Sequence, residues 1–211
     1  MIKEAFLKYL DFGYQPILLH HNTKVPIFFK WQKNYNHNIY LPLLDNEKKY
    51  NIGLLLGKTV DIEGDSEEAN QILENNFFHI NHPIYKSKKS YHHLFKNTFR
   101  NISRIQIERI EIRGYCHQSV VPPSNVDSEK DYIWIEDLVP YKDLPEIPIE
   151  FAKKYKLPSL KRILKEKNRE ASLSAIWCSN CSKKHLLNEK LLKSILSKKE
   201  KWRCKPCKKS N

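Results

Sequence analysis

The basic residues of this chain are gathered at one end, and that division constrains the fold more than any other feature of the sequence. Residues 1–150 carry 18 Lys+Arg against 20 Asp+Glu, net −2, whereas residues 151–211 carry 19 against 4, net +15. Asymmetry on this scale points to a polyanionic partner, most often nucleic acid; the plainer alternative is a solubilising tail. With 211 residues and 40% hydrophobic content, the chain can bury one core of ordinary domain size and a small second module. No apolar run approaches the 18 or so residues that span a bilayer, and MIKEAFLKYL carries an acid where a secretory signal needs an uncharged stretch. A cytoplasmic location without a membrane partner is the expectation.

The cysteines follow the same division. Cys178 and Cys181 (WCSNC) and Cys204 and Cys207 (RCKPC) form two pairs separated by 22 residues. Four thiolates so spaced can surround one Zn²⁺ tetrahedrally, a closed structural site with no position open for chemistry. Cys116 stands alone and reads as a small apolar filler. Two prolines within residues 144–150 mark the exit from a first domain. The expected plan is a domain over 1–145, a basic linker over 146–172 holding a short helix at 159–168, and a four-cysteine zinc module over 173–211. Leu187, Leu191, Leu192 and Ile195 recur at helical spacing, which predicts a helix between the knuckles.

The first 140 residues alternate helical and strand patterns, so an α+β class is expected. AFLKYLDFG reads as an amphipathic helix closed by Gly13, and YQPILLH as a strand. NIGLLLG, a Gly57-Lys58 turn and TVDIE together predict a hairpin. Asp65 with Glu68 fits a capping box for the following helix, which gives Asp65 a structural reason. Further strands are predicted at SYHHLF, IERIEIRG, QSVVPPS and DYIWIED.

The chemistry is concentrated in three of these strands. In VDIEG, Asp61 and Glu63 share one face while Val60 and Ile62 take the other, because successive strand residues alternate sides. In IERIEIRG, Glu111 shares a face with Arg109 and Arg113; in SYHH, Ser90 shares one with His92. Side by side, the strands would collect Asp61, Glu63 and Glu111 as hard oxygen ligands, with Ser90, His92 and Arg113 next to them. Carboxylates suit Mg²⁺ or Mn²⁺, and Ser, His and Arg suit phosphate oxygens, so a metal-dependent phosphoryl-transfer site has this composition. Taken singly, each pair could instead be a solvated sheet face.

The ordered set VDIEGDSEEA, SYHHLF and EIRGYCHQSVVPPSN resembles the three motifs of the archaeo-eukaryotic primase superfamily. More narrowly it resembles the bifunctional primase-polymerase domain of plasmids, phages and archaeal mobile elements. GYQPILLHHNTKVPIFFKW, with Lys24 and Pro26, is similar to that family's N-terminal region, and the likeness covers roughly residues 5–135. The resemblance implies a catalytic domain with a mixed or antiparallel sheet flanked by helices. It implies that Asp61 and Glu63 hold two divalent ions with Glu111 as third carboxylate, standing where the superfamily more often has Asp. It also implies that His92, with Ser90, meets the phosphates of the incoming nucleotide and that Arg113 lies near it. His93 is the neighbouring competitor for that role.

The activity so implied is template-dependent nucleotidyl transfer, as a DNA primase or primase-polymerase. Such an enzyme makes or extends primers on single-stranded DNA in replication, from NTPs, dNTPs or both. No GxxxxGK[ST] loop is present, so unwinding would fall to a separate replicative helicase. Two alternatives belong to other classes: a catalytically silent primase-like replication initiator that only binds DNA, and a zinc-module DNA-binding regulator whose acids are surface charge.

Overall fold

The computed structural model describes residues 2–158, apart from residues 34, 47–48, 89, 100–101 and 127–129, together with two short strands nearer the C-terminus. The chain divides into two compact units, Met1–Pro158 and Ser159–Asn211.

The first unit opens with helix α1 (Ile2–Asp11), which buries Phe6 and Tyr9. It ends as its sequence predicts, with Gly13 at φ 84° and its N–H bonded to Leu10 O, a left-handed position that glycine adopts without strain. Strand β1 (Pro16–His20) follows, then β2 (Tyr50–Leu55), β3 (Thr59–Gly64) and helix α2 (Glu67–Phe77). Strands β4 (Ile84–Lys86), β5 (Tyr91–Lys96), β6 (Arg104–Ile107), β7 (Ile110–Arg113) and β8 (Gln118–Val121) come next. Short strands β9 (Asn125–Val126) and β10 (Lys130–Asp131) pair with each other before β11 (Ile133–Glu136) and helix α3 (Ile149–Lys154).

Two antiparallel sheets carry the unit, one ordered β1-β2-β8 and the other β11-β4-β5-β3-β7-β6. The three-stranded sheet and α1 share a core with Tyr85 and Leu94 of the larger sheet. Against the other face of the larger sheet lie α2 and α3, where Phe77 packs on Phe95 and Phe151 with ring centroids 4.8 Å apart in each case. The compact unit therefore continues past the proline-marked stretch at 144–150, since Phe151, Ala152 and Leu157 are buried in it.

Four local expectations are corrected. β2 and β3 do not form a hairpin: β2 is flanked by β1 and β8, and β3 by β5 and β7, so neither strand has an edge left for the other. The Gly57-Lys58 link passes the chain from one sheet to the other. Helix α2 is capped by Ser66, whose side chain accepts from Ala69 N, so the cap lies one residue beyond Asp65. IERIEIRG is not one strand: Glu108, at φ 53°, turns the chain between β6 and β7, which puts Arg109 in the turn and off the face of Glu111. Cys116 is exposed at φ 65° and fills no core position.

In the second unit, strands β12 (Leu173–Trp177) and β13 (Lys184–Asn188) pair antiparallel, Trp177 opposite Lys184. Leu187 is thus in a strand and not in the helix its spacing predicts. The remaining helical positions, the basic helix at 159–168 and Cys178, Cys181, Cys204 and Cys207 lie outside the described residues. Among the described residues no helix is long and apolar enough to cross a membrane.

Candidate active site

Strand β3 positions the site because both of its edges are paired. On β5, Glu63 lies opposite His92 and Asp61 opposite Leu94; on β7, Glu63 lies opposite Glu111 and Asp61 opposite Arg113. Directly opposed residues share a face of a sheet, so five of the six expected site residues, Asp61, Glu63, His92, Glu111 and Arg113, stand together. Val60 and Ile62, fully buried, form the opposite face under α2. Gly64 lets that helix start close by, since a Cβ there would lie 2.4 Å from Asn70 Oδ1 and 3.0 Å from its backbone nitrogen.

Asp61 is fully buried and surrounded by donors. His92 Nδ1 is 3.0 Å from Oδ2 and 3.2 Å from Oδ1; Tyr85 donates its hydroxyl at 3.2 Å, Ser119 donates at close range, and Arg113 lies 3.4 Å away. Burial alone would raise the pKa of this carboxyl. His92, Arg113 and the Ser119 hydroxyl overcome that penalty and hold it well below the usual carboxylate range. An ionised carboxylate can only accept, so His92 carries its proton on Nδ1. That leaves His92 Nε2 buried with no hydrogen-bond partner among the described residues, 3.7 Å from Glu63 Oε1.

Arg113 is the charge at the centre of the cluster. Its guanidinium bonds Glu63 Oε2 closely, reaches Asp61, and puts Nε 3.8 Å from Glu111 Oε1. Burial works against its charge, but Asp61, Glu63, Tyr85 and Glu111 raise its pKa above the ordinary arginine value. Burial first, and then the charge of Asp61, push the Tyr85 phenol well up, so it remains a donor. Glu111 is turned toward the sheet edge, where Arg104 Nε meets Oε1 at 2.7 Å. Ser90 lies one step further along the same face and donates to Asp65 Oδ1 at 3.2 Å, away from Asp61 and Glu63.

His93 points the other way. Its Nδ1 lies 2.8 Å from His82 Nε2, and its ring packs 5.4 Å from that of Phe77. Burial and His82 push its pKa down to about 3, and burial also lowers that of His82.

Among the described residues no three His, Cys, Asp or Glu side chains form a ready-made metal centre. Carboxylate oxygens are nevertheless the donors a hard cation takes: among the described residues Asp61 Oδ1 meets only His92 and Glu63 Oε1 accepts no hydrogen bond, while the Arg113 guanidinium holds the place between the two carboxylates and a cation would have to displace it. Two residues that hold Asp61 escape sequence reasoning. Tyr85 and Ser119 are 24 and 58 residues from it. The one available signal was a lone serine entering the apolar QSVV run.

An antiparallel sheet on an α+β domain here presents carboxylates, a histidine and an arginine on adjacent strands, the residue types from which phosphoryl-transfer sites are built. The family comparison makes the assignment specific: the model of the bifunctional DNA primase/polymerase N-terminal domain matches residues 6–148, and the chain belongs to that family. DNA primase/polymerase chemistry, a nucleotidyl transfer, is accordingly its class of activity. No curated protein matches the chain.

Proposed function

We propose that this protein is a template-dependent nucleotidyltransferase that makes or extends primers on single-stranded DNA, with Asp61, Glu63 and Glu111 as ligands of divalent Mg²⁺ or Mn²⁺. The observation that carries the reading is the register of β5, β3 and β7, which sets the two acids of β3 between His92 on one side and Glu111 with Arg113 on the other. When bound, the ions would activate the primer 3′-hydroxyl and neutralise the triphosphate. The protein's own part is orientation. Asp61 accepts the Nδ1 proton of His92 and fixes the imidazole, so that with a second proton on Nε2 the ring would donate to a phosphate oxygen of the incoming NTP or dNTP. Tyr85 and Ser119 fix Asp61, and Arg113 holds Glu63 against repulsion from Asp61. Ser90, bonded to Asp65, would join nucleotide binding only by releasing that bond.

The basic second unit is proposed to draw in the template strand, its fold set by Zn²⁺ on Cys178, Cys181, Cys204 and Cys207; a separate helicase would supply the single strand. Primer synthesis on single-stranded DNA, with each nucleotide pool and with Mg²⁺ or Mn²⁺, tests the reading. Incorporation by the unaltered chain that disappears in Glu63→Ala is expected. No incorporation in any pool, with DNA binding intact, would favour a silent initiator. Metal analysis should find about one zinc per chain, and pairs of cysteines oxidised to disulfides would remove the zinc module.

A further inference from the structure

The first unit has its own feature suited to a single strand, outside the carboxylate site. Between Asp11 and Asp45 the sequence contains no acid, while Lys24, Lys30 and Lys33 fall within it, in a part of the chain that is otherwise net negative. Within this stretch Phe28 and Phe29 face opposite ways. Phe28 packs on Tyr40, ring centroids 5.3 Å apart, and anchors the segment to the core. Phe29 is 90% exposed, the largest exposure of any large hydrophobic residue described. Lys30 follows at φ 59°, a conformation that non-glycine residues seldom adopt, and its Nζ lies 5.6 Å from the Phe29 ring centroid.

The segment is held in place. His20 N bonds Val25 O at 2.9 Å, Ile27 N bonds Leu18 O at 3.1 Å, and Gln118 Nε2 bonds Lys24 O at 3.0 Å. Gln118 immediately precedes Ser119, whose hydroxyl donates to Asp61. Because adjacent strand residues point to opposite sides, Gln118 holds the loop on the other face of β8 from that Ser119 hydroxyl; the loop, anchored at Lys24, Val25, Ile27 and Phe28, carries an outward aromatic ring and lysines but no acid. Aromatic rings stack on any base and lysines meet any phosphate, and sequence-tolerant binding of single strands combines these two elements.

We propose that residues 24–33 are a single-strand platform outside the candidate active site, on which Phe29 stacks a template base while Lys24, Lys30 and Lys33 meet backbone phosphates. The choice of template as occupant rests on the function proposed above. The platform is distinct from the basic second unit: it contributes stacking, which salt does not screen, whereas the tail contributes attraction that salt weakens.

That distinction gives the test. Full-length protein is titrated with a labelled oligothymidine and with a duplex at two salt concentrations. Phe29→Ala should weaken single-strand binding by about fivefold or more at both concentrations, and Phe29→Trp should retain it. Duplex affinity should not change. Lys24→Ala with Lys33→Ala should flatten the log-log salt slope by roughly 0.7 for each phosphate no longer neutralised. Because Phe29 is exposed, the variants should melt as the parent does, and photocrosslinking of a halogenated base in the unaltered chain should map to residues 24–33. Unchanged single-strand affinity of Phe29→Ala at the higher salt, or an equal loss on duplex, overturns the platform; the latter would mark the ring as a general contact or the seat of another partner. If the unaltered chain incorporates no nucleotide yet Phe29→Ala loses single-strand affinity, the proposed function fails and the platform stands. Incorporation by a chain whose Phe29→Ala variant binds normally has the opposite meaning: the function stands and the platform fails.

Discussion

His92 and His93 are neighbours in one strand and inhabit opposite chemistries. His92 faces a cluster of ions, its Nδ1 3.0 Å from a buried carboxylate, while His93 faces Phe77 and a second imidazole under α2. The same division runs along β3, where Asp61 and Glu63 meet Arg113, and Val60 and Ile62 are sealed in apolar packing. Residue type does not separate the two histidines; the pleat does. One face has to keep charge out of water by pairing it, and the other has to stay neutral.

The strongest way to break that comparison is to remove charge from the paired face. Asp61→Ala should abolish nucleotide incorporation, and it should also destabilise the fold by about 3 to 5 kcal/mol, because the buried donors of His92, Tyr85 and Ser119 lose their acceptor and Arg113 loses one of its carboxylates. In a domain of this size that is a fall of roughly 10 °C in melting temperature. Glu63→Ala should abolish incorporation with a much smaller fall, since the Glu63 side chain keeps 15% of its exposure and holds up no buried donors besides Arg113. Calorimetry beside a primer-extension assay separates the two. If Asp61→Ala melts like the parent, the paired face is not supporting the fold.

Next in size is the exchange of the histidines. His92→Ala should cut incorporation mainly by raising the nucleotide KM, because the imidazole it removes would bind phosphate and not metal. His93→Ala should instead cost roughly 2 to 4 kcal/mol through the cavity and the stranded His82 Nε2, with incorporation per folded molecule kept. A His93→Ala protein that is stable but inactive would show that the two faces are not separate.

How much of this was legible in the sequence depended on how local each cause is. The shared face of Asp61 and Glu63 follows from a period of two, which needs no knowledge of the rest of the chain. That β5 and β7 flank β3 follows from long-range pairing; the resemblance to known motifs pointed to it, and periodicity could not. The failures have physical reasons. A Gly-Lys pair looks like a hairpin turn, yet Gly57 does not take a positive φ, and both flanking strands spend their edges on other partners. Glu108 turns the chain with neither glycine nor asparagine, so Arg109 was read onto a strand. Ser66 took the cap from Asp65 because its short side chain reaches Ala69 N directly. Tyr85 and Ser119 complete the shell of Asp61 from remote strands, and nothing near position 61 announces them.

The most gradual effect is the dependence of stability on pH, and it sharpens the comparison because each face should respond in its own range. His93 is held down to about 3, against an ordinary value of 6.5, by burial and by His82. The unfolded chain therefore takes up a proton below pH 6.5 that the folded chain refuses, so stability present at pH 7 declines as the pH falls from 6.5 toward 3. His82, also lowered, adds to the same decline. Asp61 has a folded value below its ordinary 3.8, so its contribution is complete above that value and is lost only as the pH falls below it. Melting temperature should accordingly fall in two stages, an imidazole stage between about pH 6.5 and 4 and a carboxylate stage below it. His93→Leu should start from a lower melting temperature at pH 7 but show a shallower first stage, with the second stage intact. Imidazole resonances followed by NMR give the direct check: the His93 ring should not titrate above about pH 4. A His93 signal titrating near 6.5 would put that ring in contact with water, and the apolar face would lose the property that distinguishes it from the ionic one.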